Sequence, residues 1–193
     1  MFRSMIRSIL RPLVRGLLHF ATKRMEQATN YDAAYMHDVI NTSTSAALKL
    51  SALPLLSQHK DGTPLPLWYG AAIASVLEGD CGPCAQLIVD QGLKEGVEPD
   101  LLRALIARDM EAAGPQAALG FRFAEATMSD ARECDLLRAD IEQKFGKRAV
   151  IALAYATAFC RTYPVLKRGL GYGAICQRIK IGDGEETVIK QAA

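Results

Sequence analysis

Enrichment in proline or glycine, low-complexity tracts and internal repeats are all missing from this chain, which sets aside fibrous, linker-like and repeat architectures. No second Cys or His pair stands at metal-ligand spacing from the first, which weighs against zinc, and no metal or organic cofactor is expected. The body of the chain has no basic face with interleaved aromatics, so nucleic acid is not an expected partner. Acidic residues are absent from residues 1–25, which hold Arg3, Arg7, Arg11, Arg15, Lys23 and Arg24 for a local charge of +6, while the remainder carries −4.

Five cysteines, an odd number, lie at positions 81, 84, 134, 160 and 176. A secreted disulfide scaffold normally shows an even set, so a reducing cytoplasm is the expected compartment, where disulfides are catalytic rather than structural. Cys134 and Cys160 fall within helical patterns and read as small core residues. Half of the 193 residues are apolar and 23% are charged, the balance of a globular protein large enough for a sizeable core.

The first 25 residues read as a basic amphipathic helix. The arginines recur every four residues beside Ile6, Ile9, Leu10, Leu13, Val14, Leu17 and Leu18. Arg11 and Arg15 interrupt the apolar run, so it has neither the unbroken core of a secretory signal nor the length of a spanning helix. Pro12 is expected to kink the helix or start a new one. Three roles compete for the segment: packing on the domain or a partner subunit, attachment to an anionic membrane surface, and an organellar presequence.

Beyond Asn30 the periodicity is helical nearly throughout. It predicts helices over 31–57 with Pro54 bending the last turn, then over 65–77, from the dithiol to about Lys94, from Glu98-Pro99-Asp100 onward, and over 114–128, 131–144 and 147–170. Residues 177–189 alternate around Gly182-Asp183-Gly184 and predict a small hairpin. The expected class is all-α, with seven or eight helices. The organisation is an N-terminal helix over 1–25, a helical domain over 26–174 and a tail over 175–193.

Chemistry concentrates at Cys81-Gly82-Pro83-Cys84. Two thiols three positions apart at a helix start can close a disulfide, and the unpaired N–H groups and positive dipole end there favour a thiolate at the first sulfur. Pro83 suits a first helical turn, where its missing donor costs nothing. Thioredoxins share this tetrapeptide, but their motif needs flanking strands, and here the flanks are helical.

The stretch from about Ala71 to Gly171 resembles the alkylhydroperoxidase D and carboxymuconolactone decarboxylase superfamily. The likeness rests on the dithiol followed by Ala85-Gln86-Leu87-Ile88-Val89, on Gln91-Gly92-Leu93, and on Leu101-Leu102-Arg103-Ala104-Leu105. It continues in Phe121-Arg122-Phe123-Ala124-Glu125-Ala126, Phe159-Cys160-Arg161-Thr162-Tyr163 and Arg168-Gly169-Leu170-Gly171. The resemblance implies an alkylhydroperoxidase D-like helical bundle that forms homo-oligomers. It implies a thiol-dependent antioxidant peroxidase or disulfide reductase in which Cys81 and Cys84 cycle between dithiol and disulfide. Its partners would be a hydroperoxide substrate and a dithiol reductant protein.

The family's proton relay places a Glu twelve residues before the first Cys and a His four after the second. Here those positions are Tyr69 and Ile88. Glu78 is the nearest carboxylate that could accept the proton, though a surface helix-end role is the plainer reading, and Tyr69 could donate a hydrogen bond into the site. Asp80 reads as an N-cap. His19, His37 and His59 read as structural or solvent-facing, Trp68 and Tyr69 as core or interface aromatics, and Tyr155, Phe159 and Tyr163 as a core stripe. Two rival functions remain: a non-enzymatic helical oligomer that binds membrane or a partner through residues 1–25, and a non-redox lactone decarboxylase-like enzyme.

Overall fold

Proline punctuates the helices of this protein. In the computed structural model, which describes residues 2–29, 31–79, 81–173, 178–181 and 184–187, every proline except Pro12 stands at the cap or in the first turn of a helix. Those positions leave an N–H unpaired anyway, so proline costs little there. Contacts divide the chain into two units, Met1–Pro54 and Leu55–Ala193.

The first unit consists of α1 (Phe2–Thr29), α2 (Ala34–Thr42) and α3 (Thr44–Ala52). α1 continues through Pro12 as one element, so no second helix starts there. One missing donor is a local loss in a helix of 28 residues. The single helical run expected over 31–57 is divided. Ser43 leaves helical geometry at φ −143° and ψ 97°, and its hydroxyl accepts the Ala46 N–H at 3.3 Å. Hydroxyl side chains favour such caps over helix interiors, and Thr42-Ser43-Thr44 supplies three in a row. Pro54 opens the short α4 (Pro54–Ser57) instead of bending a longer helix.

The second unit is built around α5 (Leu65–Glu78), whose residues Leu67 to Leu77 are all buried. A helix apolar on every side belongs in a core, and α5 packs against α6 (Gly82–Lys94), α7 (Pro99–Ile106), α8 (Gly114–Met128) and α9 (Cys134–Cys160). The crossing with α8 is close because both helices place glycine there. A Cβ on Gly70 would fall on the Ala117 carbonyl oxygen, and one on Gly120 on that of Leu67.

α9 breaks at Gly146, where φ is 82° and ψ 168°, separating the two helices expected on either side. The later helix stops at Cys160 instead of running to 170. Pro164 has no N–H to offer the carbonyl four residues back, and α10 (Thr162–Gly169) restarts after a turn at Arg161.

The hairpin forms as β1 (Arg178–Ile181) and β2 (Gly184–Thr187), antiparallel, with Arg178 opposite Thr187 and Ile181 opposite Gly184. Two four-residue strands alone are marginal, and the helical body supplies what they lack. Ile179 and Ile181 are fully buried, and the Gln86 amide on α6 both donates to the Lys180 carbonyl (2.8 Å) and accepts its N–H (2.6 Å). Arg103 on α7 donates to the Ile181 carbonyl at 3.0 Å.

The protein is therefore predominantly α-helical, as the periodicity predicts. The segment Cys134–Gly169 is long and apolar enough by composition to cross a membrane, a test that core helices also pass. Its inward face supplies Ala149, Ala152, Leu153, Ala156 and Cys160 to the core.

Candidate functional site

The dithiol stands where α5 ends and α6 begins. Gly79 caps α5 and lies against Pro164 of α10 so closely that a Cβ would strike the proline ring. The chain can then turn within two residues into α6. Cys81 occupies the N-cap position itself, in extended geometry (φ −125°, ψ 91°), and its carbonyl accepts the first helical bond from Ala85 N–H at 3.0 Å. The N-cap is thus Cys81; Asp80, expected to fill that role, lies outside the described residues. Cys84, one turn in, points to the interior.

This asymmetry matters chemically. Cys81 is half-buried and Cys84 is buried, both as thiols; among the described residues no disulfide is formed. The Cys81 thiol is lowered from its ordinary value to about 7. The largest cause is a hydrogen bond from the Cys84 side chain; burial opposes it, and the Cys84 backbone N–H and the cations Lys167 and Arg168 add to the lowering. A thiol at that value is about half thiolate at neutral pH, against a few per cent for an unperturbed one.

Lys167 and Arg168 were not found by sequence reasoning. They sit in the last turn of α10, where cations complement the helix dipole and would pass as ordinary C-terminal residues. Lys167 is buried, and Arg168 donates to the Gly79 carbonyl, tying α10 to the turn that carries the dithiol. Only the return of α10 to the end of α5 brings these charges to the sulfur.

The other candidates are engaged elsewhere. Glu78 accepts from Arg161 at 3.0 Å, an ion pair at the open end of α5. Tyr69 is fully buried, and its hydroxyl donates to Glu95 at 2.9 Å. Burial first, then that hydrogen bond, pushes the phenol far above its usual range. Glu95 also accepts from Gln91 (2.8 Å) and Lys60 (3.2 Å). Burial alone would raise its carboxyl, but these bonds outweigh it and hold the group below its usual value. Cys84, Ile88, Gln91 and Glu95 recur at helical spacing along α6, so Ile88 is a buried apolar step between the thiols and a polar cluster two turns on.

Of the histidines, His59 packs against Tyr155 with ring centroids 5.1 Å apart, while His37 bonds His19 and Glu26 within the first unit. Cys160 is fully buried, donates to the Ser57 carbonyl at 3.5 Å, and is pushed up to about 12 by burial. Cys134 is half-buried against the core with Thr127 Oγ1 at 3.4 Å from its sulfur, and Cys176 lies outside the described residues. Tyr155 is exposed and Phe159 and Tyr163 half-buried, so the aromatic stripe flanks the core; alanines on the neighbouring face of α9 fill the interior.

The chain matches no family model, curated protein or solved structure, so the chemistry rests on the geometry of the site itself.

One consequence is directly measurable. Alkylation of Cys81 by iodoacetamide is expected to rise with pH to half its limit near pH 7. Cys84→Ala removes the largest lowering influence and should move that midpoint up by more than Lys167→Met does. A first unit of rise cuts the thiolate at pH 7 about fivefold, and a further unit about tenfold more. The same shift links to folding: a depressed thiol stabilises the folded state above the unfolded value and loses that contribution as pH falls from about 9 to about 7.

Proposed function

We propose that this protein is a thiol–disulfide oxidoreductase of the alkylhydroperoxidase D-like kind, reducing hydroperoxides through Cys81 and Cys84 in the cytoplasm. The observation that carries the reading is the pairing of a half-exposed, low-pKa thiol with a buried second thiol that hydrogen-bonds it. That is the asymmetry a dithiol needs to attack and then resolve.

In the proposed reaction the Cys81 thiolate attacks the terminal oxygen of the hydroperoxide. The S–O bond forms as the O–O bond breaks, the sulfur is oxidised to a sulfenic acid that keeps the hydroperoxide's proton, and the departing alkoxide takes a proton from solvent water and leaves as an alcohol. The Cys84 sulfur then displaces water from the sulfenic acid and forms the Cys81–Cys84 disulfide. An external dithiol protein reduces that bond, itself becoming oxidised. Lys167 and Arg168 take over the electrostatic part of the missing imidazole's role: they stabilise the thiolate and the negative charge developing on the leaving oxygen.

Thiol titration before and after one equivalent of hydroperoxide tests this. The expected result is loss of two thiols with a new Cys81–Cys84 bridge on peptide mapping. Retention of both thiols would overturn it.

A further inference from the structure

An ordinary amphipathic helix packed on its own domain turns its whole apolar side inward; α1 leaves Val14, Leu18 and Met25 half-buried and turns the rest of its described large apolar side chains outward. Its inward side is held within the first unit by polar groups. Arg15 Nε donates to Thr44 Oγ1 at 2.9 Å, His19 and His37 meet Nδ1 to Nδ1 at 2.7 Å, and His19 Nε2 lies 2.9 Å from Asn41 Oδ1. Glu26 closes the set, with its carboxylate 3.2 Å from His37 Nε2 and accepting the Ala33 N–H at 3.1 Å. These bonds fix the rotation of α1 about its axis, so its opposite side faces out. There Leu13, Leu17 and Phe20, spaced four and three residues apart on one face, are 67%, 67% and 60% exposed. In the sequence Ile6 and Leu10 continue the same spacing.

We propose that this face of α1 binds an anionic lipid surface, lying in the plane of the interface. Charge selects this occupant. Residues 1–25 contain six cations and no acid, Arg11, Lys23 and Arg24 are exposed, and the Arg24 guanidinium lies 6.0 Å from the Phe20 ring at the border of the apolar stripe. The first carboxylate along the chain, Glu26, is turned inward onto His37. Leucine and phenylalanine between exposed cations fit the boundary between headgroups and acyl chains, where apolar burial and attraction to anionic lipid add. A second copy docking through the same face would set one acid-free cationic segment against another, with no opposite charge to relieve it.

Flotation of the full-length protein with vesicles tests the assignment. Phosphatidylcholine vesicles containing phosphatidylglycerol are expected to capture it at least tenfold better than pure phosphatidylcholine, with the preference lost at about 1 M salt, where screening shortens to about 3 Å. Leu17→Asp with Phe20→Asp should reduce capture at least tenfold with helicity by circular dichroism unchanged. Arg11→Gln with Arg24→Gln should weaken the preference for anionic lipid. Absence of capture by the anionic vesicles, or equal capture of the Asp variant, would overturn the proposal. So would an oligomer of the wild-type chain that the Asp variant converts to monomer without any vesicle binding, because the occupant would then be a second copy.

Discussion

Cys81→Ser is expected to abolish hydroperoxide consumption, a loss of at least about a thousandfold or about 4 kcal/mol of transition-state stabilisation, since a serine hydroxyl cannot supply the electron pair a thiolate gives the O–O bond. Cys84→Ser should behave differently. Its Cys81 still attacks, but without a resolving sulfur the protein consumes about one equivalent and stalls as a sulfenic acid, trapped by dimedone in mass spectrometry. Cys84→Ala, which removes the side-chain donor as well as the resolving sulfur, should in addition slow that single turnover at pH 7, with recovery at higher pH. Equal peroxide consumption by wild type and both serine variants would exclude a redox role for the dithiol. It would return the choice to the binding module or a reaction that needs no thiol, such as lactone decarboxylation. Neither serine substitution opens a cavity, so circular dichroism should be unchanged.

Gly120→Ala is expected to destabilise the second unit by about 3 kcal/mol, a fall in Tm of about 6–12 °C for a protein of this size. Helix propensity argues the other way, because alanine in a helix interior is favoured over glycine by about 1 kcal/mol. Packing wins here because the added Cβ would overlap the Leu67 carbonyl oxygen, and two backbones must part where no flexible side chain can yield. Gly70→Ala should do the same from the other side of the crossing. Gly16→Ala is the control: nothing lies within 4 Å of its Cβ position, so it should be neutral or slightly stabilising. Thermal melts of the three variants decide the matter; a Gly120→Ala melt equal to wild type would contradict the close α5–α8 approach.

Much of the helical order was legible in the chain. The dithiol helix, the Glu98-Pro99-Asp100 start and the end of α8 follow from local rules about proline, acids and apolar spacing, and these rules operate over a few residues. Errors arose where a local signal competed with another. Ser43 interrupts a run whose apolar spacing continues across it, and Pro164 divides a helix whose hydropathy does not falter. The candidate site was read only in part. Cys81 and Cys84 announce themselves by spacing, but Glu78 is pointed to only by nearness in sequence and Tyr69 only by its place at the relay position of the resemblance. Glu78 pairs with Arg161 and Tyr69 with Glu95, because hydrogen-bond partners are assigned by which helices cross.

By itself the amino-acid sequence determined that this protein is helical, that two thiols share the first turn of one helix, and that its first 25 residues are cationic and acid-free. Those properties depend on side-chain chemistry and short-range spacing. Tertiary structure alone decided that Lys167 and Arg168 lie near enough to Cys81 to help lower its pKa, and that Leu13, Leu17 and Phe20 of α1 are left exposed. Each of these depends on the packing of residues distant in sequence, where burial and charge act through space rather than along the chain.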